Sequence, residues 1–75
     1  MANPKHYHVV SYEGKWAVKQ AGYDKPLVIK GTKQEAFEAG RFIAKQAKGE
    51  LFIHRLDGTI ENRESYGNDP YPPRG

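Results

Sequence analysis

The segment from Thr32 to Gly49 constrains the fold most, because it alone combines a helix start, a helical period and a helix stop. Thr32 and Glu35 form a capping box, in which the hydroxyl accepts from the amide of Glu35 and the carboxylate reaches back to the amide of Thr32. Lys45 and Lys48 lie in the last turn, where the helix dipole favours cations. Gly49 is predicted to end the helix in the left-handed conformation.

One face of this helix carries mostly small residues. At about 100° per residue, the face comprises Ala36, Gly40, Ile43, Ala44 and Ala47, with Phe37 and Ala39 at its margins. A face of this kind lets the helix backbone lie close against a flat surface. A sheet is the predicted partner of the helix.

The other apolar runs are short enough to be strands. They are predicted at 7–12, 15–20, 27–30, 50–56 and 59–65. Glu13-Gly14 and Asp57-Gly58 are predicted as two-residue hairpin turns, the latter with positive φ at both positions. The order β-β-β-α-β-β predicts an α+β domain of two layers, an antiparallel sheet covered by one helix. The polar last strand is predicted at the sheet edge. Residues 1–65 form this single domain, and 66–75 form a proline-rich tail.

A single helix covers one side of a sheet, so the other side meets water or a partner. The side facing the helix is predicted to carry Trp16, Val18, Leu27, Ile29, Leu51, Ile53 and Ile60. The uncovered side is predicted to carry Val10, Tyr12, Lys19, Val28, Lys30, Phe52, His54 and Arg63. Which side of strand 50–56 is buried stays open, because both sides carry large apolar groups. The uncovered side is either a solvated surface, on which lysine stems cover apolar groups, or a docking face.

Composition narrows the class of protein. The chain has 75 residues, no cysteine and a net charge of +3. A chain of this length is one domain, and without cysteine it has no disulfide or zinc–thiolate support. No segment resembles a signal peptide or a membrane span, so a cytoplasmic protein without a membrane partner is expected. The basic excess is mild, and it permits nucleic-acid binding without requiring it.

Five segments together resemble a known family. They are H-V-V at 8–10, G-K-W-A-V-K at 14–19, T-K-Q-E-A at 32–36, D-G-T-I at 57–60 and the closing S-Y-G-N-D-P-Y-P-P-R-G. This pattern is similar to the small bacterial and phage proteins grouped as domain of unknown function 2188. The resemblance runs from about His6 to the last residue, and the closing segment is its most specific part. It implies a complete protein, and it implies no activity and no functional residues.

The tail and the outer side of the helix offer a second candidate surface. Pro70, Pro72 and Pro73 favour an extended, polyproline-like segment, which is either a frayed end or a preformed peptide for an aromatic groove. Phe42 falls opposite the small-residue face and is expected to be covered, either by the tail or by a second subunit. The residues predicted for this helix and tail patch are Arg41, Phe42, Lys45, Tyr66 and Tyr71.

Catalytic and metal chemistry find little support in the sequence. His6 and His8 point the same way from a strand, and His54 lies on a later one, but a stable metal site needs a third or fourth rigid ligand. Ser11 and Ser65 stand in no nucleophile motif, and no glycine-rich phosphate loop precedes the helix. We therefore expect no enzyme, no cofactor, no metal and no small-molecule substrate.

Two functional hypotheses follow. The first is a protein-binding or self-associating module that uses the uncovered sheet face, the Phe42 patch or the tail. The second is a weakly sequence-selective nucleic-acid binder that uses a basic face with aromatic side chains among the cations. The layout of three strands and a helix resembles the arm-binding domains of tyrosine recombinases, which is a fold-level analogy. The sequence ranks the protein-binding hypothesis first, because the net charge is modest and the acidic residues are interspersed with the basic ones.

Overall fold

The sheet of this protein is mixed rather than antiparallel. A computed structural model describes residues 5–67. Within that range the elements are β1 (His6–Tyr12), β2 (Lys15–Gln20), β3 (Val28–Lys30), α1 (Lys33–Ala47), β4 (Glu50–His54) and β5 (Ile60–Ser65). The strand order is β3-β2-β1-β4-β5, and β1 and β4 pair in parallel at the centre. The prediction of an α+β domain with one helix is confirmed, whereas the prediction of a purely antiparallel sheet is wrong.

The predicted start of the helix is confirmed, and its predicted end is wrong by one residue. The Thr32 hydroxyl accepts a hydrogen bond of 3.1 Å from the amide of Glu35. The left-handed residue that closes α1 is Lys48, with φ 57°, and not Gly49. The amide of Lys48 bonds to the carbonyls of Ala44 and Lys45, which satisfies groups that a helix end leaves free.

Gly49 is needed for a different reason. A Cβ atom at this position would collide with the carbonyl oxygen of Lys5. That oxygen accepts a bond of 2.8 Å from the amide of Glu50, and the carbonyl of Gly49 accepts one of 2.9 Å from Tyr66. Gly49 therefore lies between the chain entering β1 and the chain leaving β5, where only a residue without a side chain fits.

The small-residue face of α1 packs on the sheet as predicted. Ala36, Gly40 and Ala44 are buried. A Cβ atom added to Gly40 would lie 2.9 Å from Cδ1 of Leu51 and 3.3 Å from Cγ2 of both Val9 and Val18. The core beneath the helix also includes Tyr7 and Ile53, and Trp16, Val28, Phe37 and Ile43 pack around it. The helix therefore rests with its backbone almost on the three central strands.

One of the two hairpin turns differs from its predicted form. The predicted two-residue turn between β1 and β2 is confirmed, and because Glu13 and Gly14 both have positive φ it is of a primed type. In the second hairpin only Gly58 has positive φ, and its amide bonds to the carbonyl of Arg55. The loop there is a three-residue connection whose last residue is left-handed, and β4 ends at His54 rather than at Leu56.

The third strand presents the opposite face from the predicted one. Val28 pairs with Val18 and Lys30 pairs with Trp16, so both share the helix side. Ile29 pairs with Ala17 on the uncovered side and is 46% exposed, and Leu27 is 47% exposed. Ile60 was also predicted on the helix side, yet it pairs with His54 on the other face, after a register shift in β4. The predicted faces of Trp16, Val18, Leu51 and Ile53 are confirmed.

The last strand forms one edge of the sheet, as predicted. It is held to the helix by an ion pair between Lys33 and Glu61, which lowers the pKa of the Glu61 carboxyl through the hydrogen bond and the charge of Lys33. The same lysine lies 5.2 Å from the ring centroid of Trp16. Lys33 thus links the start of the helix to strands on both sides of the sheet centre.

Candidate functional site

The side of the sheet opposite the helix carries a mixed set of side chains, and we name it the open face. Residues paired directly across neighbouring strands point to the same side, so the register defines its members. The open face comprises His6, His8, Val10, Tyr12, Lys15, Ala17, Lys19, Ile29, Glu50, Phe52, His54, Ile60, Arg63 and Ser65. Its composition differs from that of the helix side, where the large buried aliphatic residues Val9, Val18, Leu51 and Ile53 lie.

Three imidazole rings and one phenyl ring form a cluster at the centre of the open face. The rings of His8 and Phe52 stack with centroids 5.0 Å apart and planes 17° apart. The ring of His6 meets Phe52 edge-on at 5.4 Å, and the ring of His54 lies 5.1 Å from that of His8. The phenyl ring is therefore engaged by two imidazoles within the domain.

A hydrogen-bond chain fixes the tautomers of two of these histidines. Nδ1 of His54 lies 3.0 Å from the carbonyl oxygen of Gly58, which can only accept, so this nitrogen carries a proton. Nε2 of His54 lies 2.9 Å from Nδ1 of His8. With both rings neutral, Nε2 of His54 accepts and Nδ1 of His8 donates. The remaining nitrogen of His8, Nε2, then carries a free lone pair.

The surroundings of His8 disfavour its protonated form. Partial burial lowers the pKa of His8, and electrostatic repulsion of the protonated ring by His54, His6 and Lys19 lowers it further. The ring is therefore neutral near physiological pH. The open face owes its positive charge at that pH to its lysines and its arginine rather than to this imidazole.

Charge is sorted between the two sides of the sheet. The open face carries Lys15, Lys19 and Arg63, and Glu50 is its one acidic member among residues 5–67. The other acidic residues within that range lie on the helix, on the helix side of β5, or in turns and loops: Glu13, Asp24, Glu35, Glu38, Asp57, Glu61 and Glu64. Acidic and basic residues are interspersed along the chain, but in the folded domain almost all of the described acidic residues lie off the open face.

A single row across four strands holds the main polar groups of the open face. Lys19 of β2 pairs with His8, His8 pairs with Phe52, and Phe52 pairs with Arg63 of β5. Three inter-strand steps of about 4.8 Å separate the backbones of Lys19 and Arg63 by about 14 Å. A cation thus stands at each end of an imidazole–phenyl pair.

The structure brings together five of the seven residues predicted for the interaction face. Tyr12, Lys19, Phe52, His54 and Arg63 lie on the open face. Val28 and Lys30 lie on the helix side instead, because β3 has the opposite phase.

The predicted uncovered side omitted eight residues that the register brings to it: His6, His8, Lys15, Ala17, Ile29, Glu50, Ile60 and Ser65. The strict alternation of His6, His8, Val10 and Tyr12 in β1 was the sequence signal for the two histidines.

The helix and tail patch is only partly assembled within the described range. Tyr66 packs against the core, its hydroxyl donates to Glu64, and the ammonium of Lys45 lies 5.8 Å from its ring centroid. Burial, followed by the hydrogen bond to Glu64, raises the pKa of Tyr66 to about 12. Phe42 stays 65% exposed beside Arg41 and Lys45. Tyr71 lies outside the described residues, so its predicted contact with the helix stays a prediction.

Residues 5–67 contain neither a cluster of metal-ligating side chains nor a membrane-spanning helix. No group of three or more histidine, cysteine, aspartate or glutamate side chains in that range is arranged to hold a metal ion. No helix in the same range has the length and apolar character needed to cross a membrane.

Comparison with known proteins decides the family. A family model described as an uncharacterized protein conserved in bacteria, domain of unknown function 2188, matches residues 7–66. The chain belongs to this family. The match ends before the closing segment of the chain, so the segments from β1 to β5 carry the assignment.

This chain, a member of the family of domain of unknown function 2188, is also similar to the uncharacterized protein YdaT of Bacillus subtilis (strain 168). The two sequences are 34% identical over 61 residues, which cover 81% of this chain and 41% of YdaT. The chain thus spans less than half the length of this curated relative. A search of solved structures found no match.

Proposed function

We propose that this chain is a non-enzymatic binding domain whose open face binds nucleic acid. The observation that carries the proposal is the sorting of charge between the two sides of the sheet. Lys15, Lys19 and Arg63 stand on the open face against the single acid Glu50, within residues 5–67. A surface of this kind attracts the phosphate backbone, which supplies most of the affinity of nonspecific nucleic-acid binding.

The aromatic groups of the open face define how such binding would work. The Phe52 ring is engaged by His6 and His8, so bases do not stack on it without displacing an imidazole. Contacts with phosphates by Lys19 and Arg63, at the two ends of the central row, are the main interaction. Nε2 of His8 adds one hydrogen-bond acceptor between them. Recognition through phosphates carries little sequence information, so binding is weakly selective.

The test is a titration of the full chain with a fluorescein-labelled oligonucleotide, single-stranded in one series and duplex in another. Three cations on phosphates give a slope of log affinity against log salt of about −2 for single strands and about −3 for duplex. Lys19→Gln weakens binding and reduces the slope by about 1. The matched control is Lys48→Gln, which removes the same charge from a position at the end of the helix, off the open face, and leaves the slope unchanged.

The outcomes separate clearly. A salt-dependent anisotropy change that Lys19→Gln reduces and Lys48→Gln does not supports the proposal. No change in anisotropy at low salt with either oligonucleotide overturns it. Equal loss in both variants also overturns it, because the signal would then come from net charge and not from the open face.

A protein partner is the second candidate for the open face, and exposed aliphatic side chains favour it. Ile29 and Ile60 stand at opposite edges of the open face, 46% and 53% exposed, and Val10 and the fully buried Ala17 lie between them. Exposed aliphatic groups on one face are typical of a surface that docks against another chain. The candidate is tested by Ile29→Gln, which introduces a polar but neutral side chain. It should abolish capture of such a partner and leave the salt slope for nucleic acid intact.

A further inference from the structure

The outer side of α1 carries a stripe of exposed residues that the core does not use. Glu38, Phe42 and Lys45 follow the spacing i, i+4, i+7 and lie opposite the buried residues Ala36, Gly40 and Ala44. Phe42 is 65% exposed, and within residues 5–67 nothing packs over it. A shallow depression beside the phenyl ring is lined by Glu38, Arg41, Phe42 and Lys45.

The order of charges along this outer stripe is self-complementary. An acid, Glu38, stands one turn before Phe42, and a cation, Lys45, stands one turn after it. A second copy of the helix in antiparallel orientation places each Glu38 against the Lys45 of the other copy. The phenyl rings then meet near the two-fold axis, each within reach of the other copy's Arg41. A parallel pair would instead oppose like charges at both positions.

We propose that the chain forms a two-fold symmetric homodimer through an antiparallel pair of α1 helices centred on Phe42. An isologous contact of this kind requires one patch that is complementary to itself, and the acid–phenyl–cation order provides it. Antiparallel helices also place the positive end of each helix dipole beside the negative end of the other. The second copy is the occupant that covers Phe42.

The size of the contact sets the expected strength. A helix of 15 residues is about 22 Å long, and one helix pair buries less than the standard interface area. The dimer is therefore weak and reversible, so it forms at high protein concentration. It leaves the open face of each copy on the outside, so it is compatible with the proposed nucleic-acid binding and does not depend on it.

Sedimentation equilibrium of the full chain over a range of concentrations tests the proposal. The wild type should shift from monomer to dimer, and Phe42→Ser should remove the shift. Glu38→Lys and Lys45→Glu should each weaken the dimer at least about tenfold, because each puts like charges opposite each other twice. Lys48→Glu, which reverses a charge off the stripe, is the matched control and should leave the dimer constant unchanged.

Mixing the two single variants tests directly whether Glu38 of one copy pairs with Lys45 of the other. In a mixed dimer, the lysine introduced at position 38 of one copy meets the glutamate introduced at position 45 of the other. The two unaltered residues, Lys45 of the first copy and Glu38 of the second, still face each other. The mixture of Glu38→Lys and Lys45→Glu should therefore recover the association, and the double variant should recover it alone. Both substituted positions are exposed, and circular dichroism checks that each variant is folded.

Two results would overturn the proposal. One is a wild-type chain that stays monomeric at all concentrations. The other is a mixture of the single variants that associates no better than either variant alone. Oligonucleotide titration of Phe42→Ser at low protein concentration reports on the open face separately, so failure of the dimer and failure of nucleic-acid binding are distinguishable.

Discussion

Substituting Gly40 by alanine should destabilise the domain, although the same change stabilises most helices. Gly40 lies at the centre of the face of α1 that rests on the sheet. A Cβ atom there would lie 2.9 Å from Cδ1 of Leu51 and 3.3 Å from Cγ2 of Val9 and of Val18. Each of these distances is shorter than an ordinary contact between carbon atoms, which is about 3.5–4.0 Å.

Two opposing terms set the magnitude. Alanine is favoured over glycine inside a helix by about 1 kcal/mol. Overpacking a dense core costs about 1–3 kcal/mol. Cδ1 of Leu51 is the end of a flexible side chain and can move, but Val9 and Val18 are β-branched and fully buried, so they cannot rotate away. We take about 2 kcal/mol for overpacking, which leaves a net loss of about 1 kcal/mol, or about 4–8 °C in Tm.

Urea and thermal unfolding of paired variants provide the assay. Gln46 is exposed on the same helix, so the difference in stability between Gln46→Ala and Gln46→Gly measures helix propensity alone. The alanine variant should be the more stable by about 1 kcal/mol. The sign should reverse at position 40. In a Leu51→Val background, which lacks the Cδ1 atom, Gly40→Ala should cost less, with a coupling of about 0.5–1 kcal/mol.

The expected destabilisation is refuted if alanine stabilises position 40 as much as it stabilises position 46. In that case the helix does not touch the sheet at Gly40, and the close contact of the two layers is incorrect. If the effects of Gly40→Ala and Leu51→Val on the free energy of unfolding simply add, the two residues do not interact. That result would contradict the contact with Leu51 but not the contacts with Val9 and Val18.

Three further predictions follow from single residues. Lys48→Gly should raise the free energy of unfolding by about 0.5–1 kcal/mol in urea titrations, because glycine adopts the left-handed conformation without strain; Lys48→Ala should bring no such gain. Gly49→Ala should lower Tm strongly, because its Cβ would collide with the carbonyl of Lys5; a variant as stable as the wild type would show that the chain does not pass there. The lowered pKa of His8 means that the unfolded chain binds more protons than the folded one, so stability is complete above about pH 6.5 and falls as the pH drops from there towards the lowered pKa. In melts from neutral to acidic pH, His8→Gln should lose stability less steeply, and an unchanged slope would contradict the assignment.

Local signals predicted the parts of the fold that local interactions determine. The capping residue Thr32, the small-residue face of α1 and the Glu13-Gly14 turn each depend on neighbours in the sequence, and each is confirmed. The parallel pairing of β1 with β4 depends on residues more than 40 positions apart, such as Tyr7 and Leu51, and no local pattern indicates it.

The wrong predictions arose where one residue type serves two roles. Gly49 has the chemistry of a helix stop, but it is required by the close approach of Lys5, and Lys48 takes the strained conformation. The Asp57-Gly58 pair fits a two-residue turn and also the end of a three-residue loop.

In β3 the alternation is too short to fix the phase, because Val28 and Ile29 are both large and aliphatic. Ile29 was missed because β3 was misphased, and Ile60 because of the register shift in β4. His6, His8 and Lys15, in contrast, follow from the alternation of β1 and β2, so the sequence carried the signal for them.

The place of Gly49 has a consequence for how this domain can be connected to other chains. Glu50 bonds to Lys5 at one end of the described chain, and Gly49 bonds to Tyr66 near the other. The two ends of the described chain therefore lie close together. A domain with such close ends can be inserted into a loop of a host protein with little strain, and it also tolerates circular permutation. A circular permutant of residues 5–67 opened between Glu13 and Gly14, with a short flexible linker joining Gly67 to Lys5, should therefore keep the same topology.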